Sequence, residues 1–235
     1  MTDTMLGWHF VREDMTLTDG QRVRAGRVYR APSRHGEPGP ITLCHLGYHA
    51  CERAIDALRY SAGPIVCRVE LRGEILRGED KAVASERKVL WMADATRVLH
   101  EAACHWAEQA LRGERKAGRE PDPASWEAVR VKRAWLRGQA SDEELEEAYW
   151  AAYKPMAGVP LGSLTAARAA HAAAYRSTSP LVYRAAYWAA YWSAYEAVSR
   201  IADEAALEGA FDAAHSKAQV AQNRYLTRRL EALHG

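Results

Sequence analysis

The chain has 235 residues, 48% of them hydrophobic and 26% charged, with a formal net charge of +2 at pH 7. That composition belongs to a folded protein with a sizeable core, in one large domain or two small ones. A charge so close to balance excludes a whole-chain electrostatic case for nucleic acid, which is not expected as a partner.

Residues 1–5 carry neither the basic nor the apolar region of a secretory signal. No apolar run approaches the roughly 18 residues that a membrane span requires. Four cysteines are too few for a disulfide framework in a chain of this size. The expectation is a cytoplasmic protein with reduced thiols and no membrane partner.

Gly and Pro punctuation and β-branched runs occupy residues 1 to about 95. Residues 7–12 read as a strand. Thr18-Asp19-Gly20 is a turn signal, because Asp-Gly takes up positive φ readily. Residues 27–31 read as a second strand, and residues 32–40, with three Pro and two Gly, as a loop. Then comes Leu43-Cys44-His45-Leu46-Gly47-Tyr48-His49-Ala50-Cys51, a Gly-bounded segment crowded with His, Tyr and Cys. A short helix over 52–60 follows it. Residues 65–71 are the clearest strand, Arg68 and Glu70 alternating against Cys67, Val69 and Leu71. Residues 88–91 form a further short one.

From Asp94 onward the period becomes helical. Val98, Leu99, Ala102, Ala103, Trp106 and Ala110 recur at three-to-four spacing and predict a helix over 95–117. A second helix is expected over 121–137, with Pro123 early, where a missing N–H costs little. Ser141-Asp142-Glu143-Glu144 is a capping-box signature for a third, closed by Lys154-Pro155. Residues 163–175 supply a fourth. Residues 180 to about 233 supply a long one that needs a partner along its length, with Gly209 as the candidate break.

Ala148-Tyr149-Trp150-Ala151-Ala152-Tyr153 recurs identically as Ala186-Tyr187-Trp188-Ala189-Ala190-Tyr191, and in overlap as Ala190-Tyr191-Trp192-Ser193-Ala194-Tyr195. On a helix, Tyr183, Tyr187, Tyr191 and Tyr195 share a face, with Trp188 and Trp192 beside it. Such stripes usually pack helix against helix, so the expected use is within the chain or between copies, as a homo-oligomer through the C-terminal helices. A base-stacking platform is the competing reading. Arg176, Arg184 and Arg200 favour it, and Glu196, Asp203 and Glu204 oppose it. The polar positions are not rich enough in Lys and Arg for a membrane-surface helix.

Zinc-type chemistry would draw on Cys44, His45, His49 and Cys51, completed by Cys67 or His35. The Cys-x6-Cys spacing is not that of a zinc knuckle, and strand alternation points Cys44 and His45 to opposite faces. No metal is therefore expected, and the thiols read as small buried hydrophobes. Cys104 and His105 fall on a helix, where adjacent residues diverge, so they form no nucleophile–base pair. Residues 36–39 follow neither the Walker nor the dinucleotide phosphate-loop pattern.

A resemblance emerges from three stretches. Gly47-Tyr48-His49-Ala50, the helix ending at Tyr60 and the strand from Gly63 to Gly73 look like the second motif block of the ADP-ribosyltransferase superfamily, in its poly-ADP-ribose-polymerase-like branch. Residues 86–95 are similar to the third block, in which a catalytic Glu precedes a strand. Trp8-His9-Phe10 matches the first, a strand bearing a His. The resemblance implies NAD as cofactor and a triad of His9, Tyr48 and Glu86. His9 would bond the adenosine-side ribose, Tyr48 would stack on nicotinamide beside Gly47, and Glu86 would bond the nicotinamide ribose 2′-hydroxyl. Arg30 is similar to the Arg of the toxin-like branch. A fixed carboxylate beside the scissile glycosidic bond would stabilise oxocarbenium-like charge more than the ground state. The competing reading makes His9 and Tyr48 packed sheet residues and Glu86 a solvated loop charge.

A closer resemblance, over residues 7 to 100, is to a family common in bacteriophage genomes, marked by Leu-Cys-x2-Gly-[Tyr/Phe]-His-Ala-Cys. That family implies no particular activity. The fold expected is α+β: a small, mostly antiparallel sheet domain over residues 1–95, a candidate nucleotide-binding domain, then an all-helical region over 96–235. The function expected is that of a phage-type ADP-ribosyltransferase or an NAD- or ADP-ribose-binding protein, acting on a host protein or a nucleotide target. The rival is a non-enzymatic interaction or assembly protein working through its aromatic-striped helices.

Overall fold

The computed structural model describes residues 4–31, 33–34, 37–38, 40–153, 161–175, 182–199 and 207–235. In chain order the first half holds β1 (Met5–Val11), β2 (Val28–Arg30), β3 (Ser33–Arg34), β4 (Glu37–Pro38), β5 (Tyr48–Ala50), α1 (Ala54–Arg59), β6 (Ile65–Arg77) and β7 (Ala82–Asp94). Helices α2 (Thr96–Lys116), α3 (Pro123–Trp135), α4 (Asp142–Tyr153), α5 (Leu161–Ala174), α6 (Val182–Ser199) and α7 (Leu207–Glu231) follow. The fold class is α+β, as expected: an antiparallel five-stranded sheet, then helices. The chain divides into two compact units, one of Met1–Thr96 with Leu226–Gly235 and the other of Arg97–Tyr225.

In the sheet unit the strands run β1-β6-β7-β2, and β5 also pairs with β7. Just past β5, Cys51 exchanges backbone hydrogen bonds with Trp8 at 2.7 and 3.0 Å. That exchange brings the sheet round, so that β1, β6, β7 and β5 form a ring. The alternation foreseen for β6 holds: Cys67, Val69 and Leu71 are buried in the core while Arg68 and Glu70 are half-buried. Met5 and Val11 of β1, Tyr29 of β2, Ala50 of β5 and Ala82, Ala84 and Val89 of β7 complete that core. Trp91 stacks on His234 at 5.1 Å, within the same unit.

Three expectations here need correction. The strands seen as 65–71 and 88–91 are each 13 residues long. Pairing with β6 on one edge and with β2 and β5 on the other holds β7 extended through its charged stretch. Glu86 is consequently a strand residue rather than a loop charge. Residues 32–40 are also not loop throughout, because β3 and β4 pair as a short antiparallel ladder inside them.

The predicted helices 95–117, 121–137 and 163–175 appear as α2, α3 and α5. The capping box opens α4 as foreseen: Glu144 N–H donates to Ser141 Oγ at 3.2 Å, and Ser141 N–H to Glu144 Oε2 at 2.6 Å. Its expected closure at Lys154-Pro155 lies outside the described residues, as does the side chain of Tyr183.

One continuous C-terminal helix is overturned. Gln222 Nε2 donates to the Ala190 carbonyl at 2.8 Å. Along a straight helix those residues would stand about 48 Å apart at 1.5 Å per residue, so α7 folds back on α6. Gly209, the candidate break, is helical within α7.

The tyrosines do stack along α6, with Tyr187–Tyr191 at 6.3 Å and Tyr191–Tyr195 at 5.2 Å. They do not make the core. Ala185, Ala186, Ala189, Ala190 and Ala194 of α6 are buried, as are Ala166, Ala169, Ala170 and Ala173 of α5. Small side chains let the two axes approach closely, and the rings are left on the half-exposed flank, Trp188 at 45%.

Candidate functional site

Strand alternation decides which expected site residues can meet. His9 stands opposite Cys67, and Tyr48 opposite Ala84, both partners belonging to the core. Residues directly opposite in an antiparallel pair share a face, so His9 and Tyr48 both point inward. Gly47 precedes β5 with φ +115, where a Cβ would come 2.6 Å from Val83 Cγ2. Only Gly fits that position, and it aims Tyr48 into the ring.

Glu86 faces the other way. Its strand neighbour Arg87 is 1% exposed, and the Arg87 guanidinium lies 4.9 Å from the centre of the Tyr48 ring. Successive strand residues alternate, so Glu86 points outward, where it meets Arg30 Nε at 2.8 Å. The Arg30 side chain is 70% exposed. The structure thus joins His9 and Tyr48 on one face and Glu86 and Arg30 on the opposite one.

Arg87 is the residue that sequence reasoning missed. Its Nη1 donates to the His49 carbonyl at 3.0 Å, and its Nε and Nη2 are buried without a hydrogen-bond partner. Burial lowers its pKa from the ordinary guanidinium value, yet an arginine stays charged in proteins. Burial also pushes the His9 imidazole well below its ordinary range, and the charge of Arg87 and then His49 push it the same way. His9 is therefore neutral at pH 7, with a buried Nε2 that lacks a partner. A signal for Arg87 did exist, since it stands one strand period from the buried Val89. The charged run hid it.

His9 also lines a cavity of about 240 Å³ together with Trp8, Cys44, His49, Tyr60 and Lys81. Among the described residues, no carboxylate contributes to its lining. Cys44 sits in the tight turn between Thr42 and Leu46 at φ +72, and its N–H donates to His49 Nε2 at 2.9 Å. Lys81 Nζ lies 4.0 Å from the centre of the Tyr60 ring. Burial works against the Lys81 ammonium, but Cys44 and Tyr60 outweigh it and raise its pKa. Burial lowers the pKa of His49, and the nearby charges of Lys81 and Arg87 lower it further. The cavity is therefore aromatic, cationic at one side and bounded by imidazoles that are neutral at pH 7.

Among the described residues, no three His, Cys, Asp or Glu side chains gather closely enough to hold a metal ion. His35, named above as a completing ligand, lies outside them. Cys51 and Cys67 are buried, and burial pushes each thiol up to about 12. No described helix is long and apolar enough to cross a membrane.

Together these features define an α+β protein whose ring-closed antiparallel sheet carries a polar cluster inside. Residues 5–101 match the model of a family described as Domain of unknown function (DUF7666). No curated protein and no solved structure matches the chain.

Proposed function

We propose that the sheet unit is a binding module for a small anionic ligand of the nucleotide class, with ADP-ribose and NAD as the first compounds to try. One observation carries the reading: the cavity beside His9 holds Lys81, two imidazoles and aromatic walls, with no carboxylate among the described residues of its lining. Its volume lies just under the roughly 300–1,000 Å³ usual for small-molecule pockets. It therefore takes one end of a dinucleotide and leaves the remainder outside.

Binding without transfer is favoured over ADP-ribosyl transfer because Glu86 pairs with Arg30 on the face away from Tyr48. A carboxylate stabilises an oxocarbenium-like centre only when it is fixed beside it.

Calorimetric titration of the full chain with ADP-ribose and with NAD, alongside an assay for released nicotinamide, tests the proposal. Saturable binding is expected, weakened at least about tenfold in Lys81→Ala, where one charged contact is lost. Glu86→Gln should bind like the native chain, with no nicotinamide released by either. Nicotinamide release that disappears in Glu86→Gln would replace this reading with the transferase. Absence of binding by both compounds would overturn it in favour of a protein that works through its helices.

A further inference from the structure

The helical unit contains a second cavity, of about 260 Å³, built by α4, α5 and α6 and the end of α5. Its walls are the rings of Tyr149, Tyr175, Trp188 and Trp192, and its polar groups are Arg168, His171 and Arg184. Among the described residues, no Asp or Glu lines it. Trp188 and Tyr175 are 45% and 37% exposed, so large flat rings stand open at the rim.

These groups are arranged rather than scattered. The Arg168 guanidinium carbon lies 4.5 Å from the centre of the Trp192 ring. A guanidinium over a ring keeps its N–H donors free at the edge for a bidentate oxyanion. Trp188 and Trp192, one turn apart on α6, stack at 6.3 Å. His171 stacks on Tyr149 at 4.0 Å, and its Nε2 is buried without a partner. Burial holds that imidazole down at about 4, so at pH 7 it offers a neutral ring nitrogen instead of a charge. Neither Arg168 nor Arg184 has a carboxylate partner among the described residues.

Flat aromatic walls, two unpaired guanidinium groups and one neutral hydrogen-bonding nitrogen suit a planar ring that carries an anionic group. We propose that this cavity binds a mononucleotide, with the base against Trp188 and Trp192 and the phosphate on Arg168 and Arg184. Base–aromatic stacking tolerates any base, because every base has a flat π face. The guanidinium pair supplies the selection for phosphate. The volume suits a single base, and the same chemistry could come from a free nucleotide or from a phosphorylated strand end. The free nucleotide is favoured because, among the described residues, the lining holds no run of further cations.

The site shares no residue with the cavity beside His9, so the test is run in the Lys81→Ala chain, where that first cavity is weakened. Equilibrium dialysis of the full-length Lys81→Ala chain against labelled AMP should show saturable binding. Arg184→Gln and Trp188→Leu, both at exposed positions, should each weaken it at least about tenfold. Their circular dichroism melts should match that of the Lys81→Ala chain. Adenosine and inorganic phosphate, each lacking half of the chemistry, should compete at least about tenfold less well than AMP. A short 5′-phosphorylated single strand should bind no tighter than AMP. The proposal fails if AMP does not bind, or if either variant, made in the Lys81→Ala chain, binds AMP as that chain does. It also fails if the strand binds where AMP does not.

Discussion

At the residue scale, Arg87 is the side chain least explained by packing. A buried guanidinium without a carboxylate pays a desolvation penalty of several kcal/mol, and well-packed apolar replacements of buried ions are often neutral or stabilising. Its compensation here is one carbonyl, that of His49, and the face of Tyr48. Arg87→Met should therefore leave the thermal midpoint unchanged or raise it, as read by circular dichroism. A fall of more than a few degrees would show that the carbonyl and ring contacts outweigh the burial. The cysteines give a second residue-scale prediction. Cys44 is exposed, whereas burial pushes Cys51 and Cys67 up to about 12 and Cys104 up to about 11. The thiolate is the reactive form, so a disulfide reagent at pH 7.5 should titrate one fast thiol in the native chain and four after denaturation. In Cys44→Ser the fast phase should vanish.

Elements whose determinants are local were the readable ones. The capping box needs only Ser141 and Glu144 three residues apart, and both of its hydrogen bonds are present. Ser141→Ala should cost about 1 kcal/mol, visible as a shift in the urea midpoint at unchanged slope. The strand β7 was only partly readable, because its extension depends on two edges being paired by segments up to 60 residues away in sequence. The same distant pairing turns Glu86 outward and Arg87 inward, so the order of the transferase-like blocks could be seen while their faces could not. For α6 the error ran the other way. Aromatic spacing pointed to the tyrosines and tryptophans as packing residues, but alanines on the neighbouring face bring the helices closer than rings would allow.

At the scale of the whole molecule, one buried group in each unit responds to acid with opposite sign. In the sheet unit, burial pushes the Asp56 carboxyl up to about 6, Arg53 opposing the shift and Asp80 adding to it. A folded-state value above the unfolded one contributes stability that is complete below about pH 4 and lost as pH rises through about 6. In the helical unit, burial lowers His171 to about 4. A depressed histidine contributes stability above about pH 6.5 that is lost as pH falls through about 4. Thermal midpoints measured from pH 4 to 8 should show Asp56→Asn gaining on the native chain at pH 8 and not at pH 4. His171→Phe should reduce the loss of stability between pH 6.5 and 4. Identical pH profiles for native and variant chains would contradict both assignments.

What the sequence by itself determined was whatever acts within a few residues: the α+β class, the alternation of β6, the helix periods and the cap of α4. Period, capping and turn chemistry are short-range, so one strand of text contains them. The tertiary structure alone decided which face each strand residue takes and whether a helix continues or folds back. It also decided which charges lose their water. The ring closure through Trp8 and Cys51 puts His9, Tyr48 and Arg87 on one inner face. The return of α7 to Ala190 divides the C-terminal stretch. Each joins residues far apart in sequence, and such contacts exist only once the chain has closed on itself.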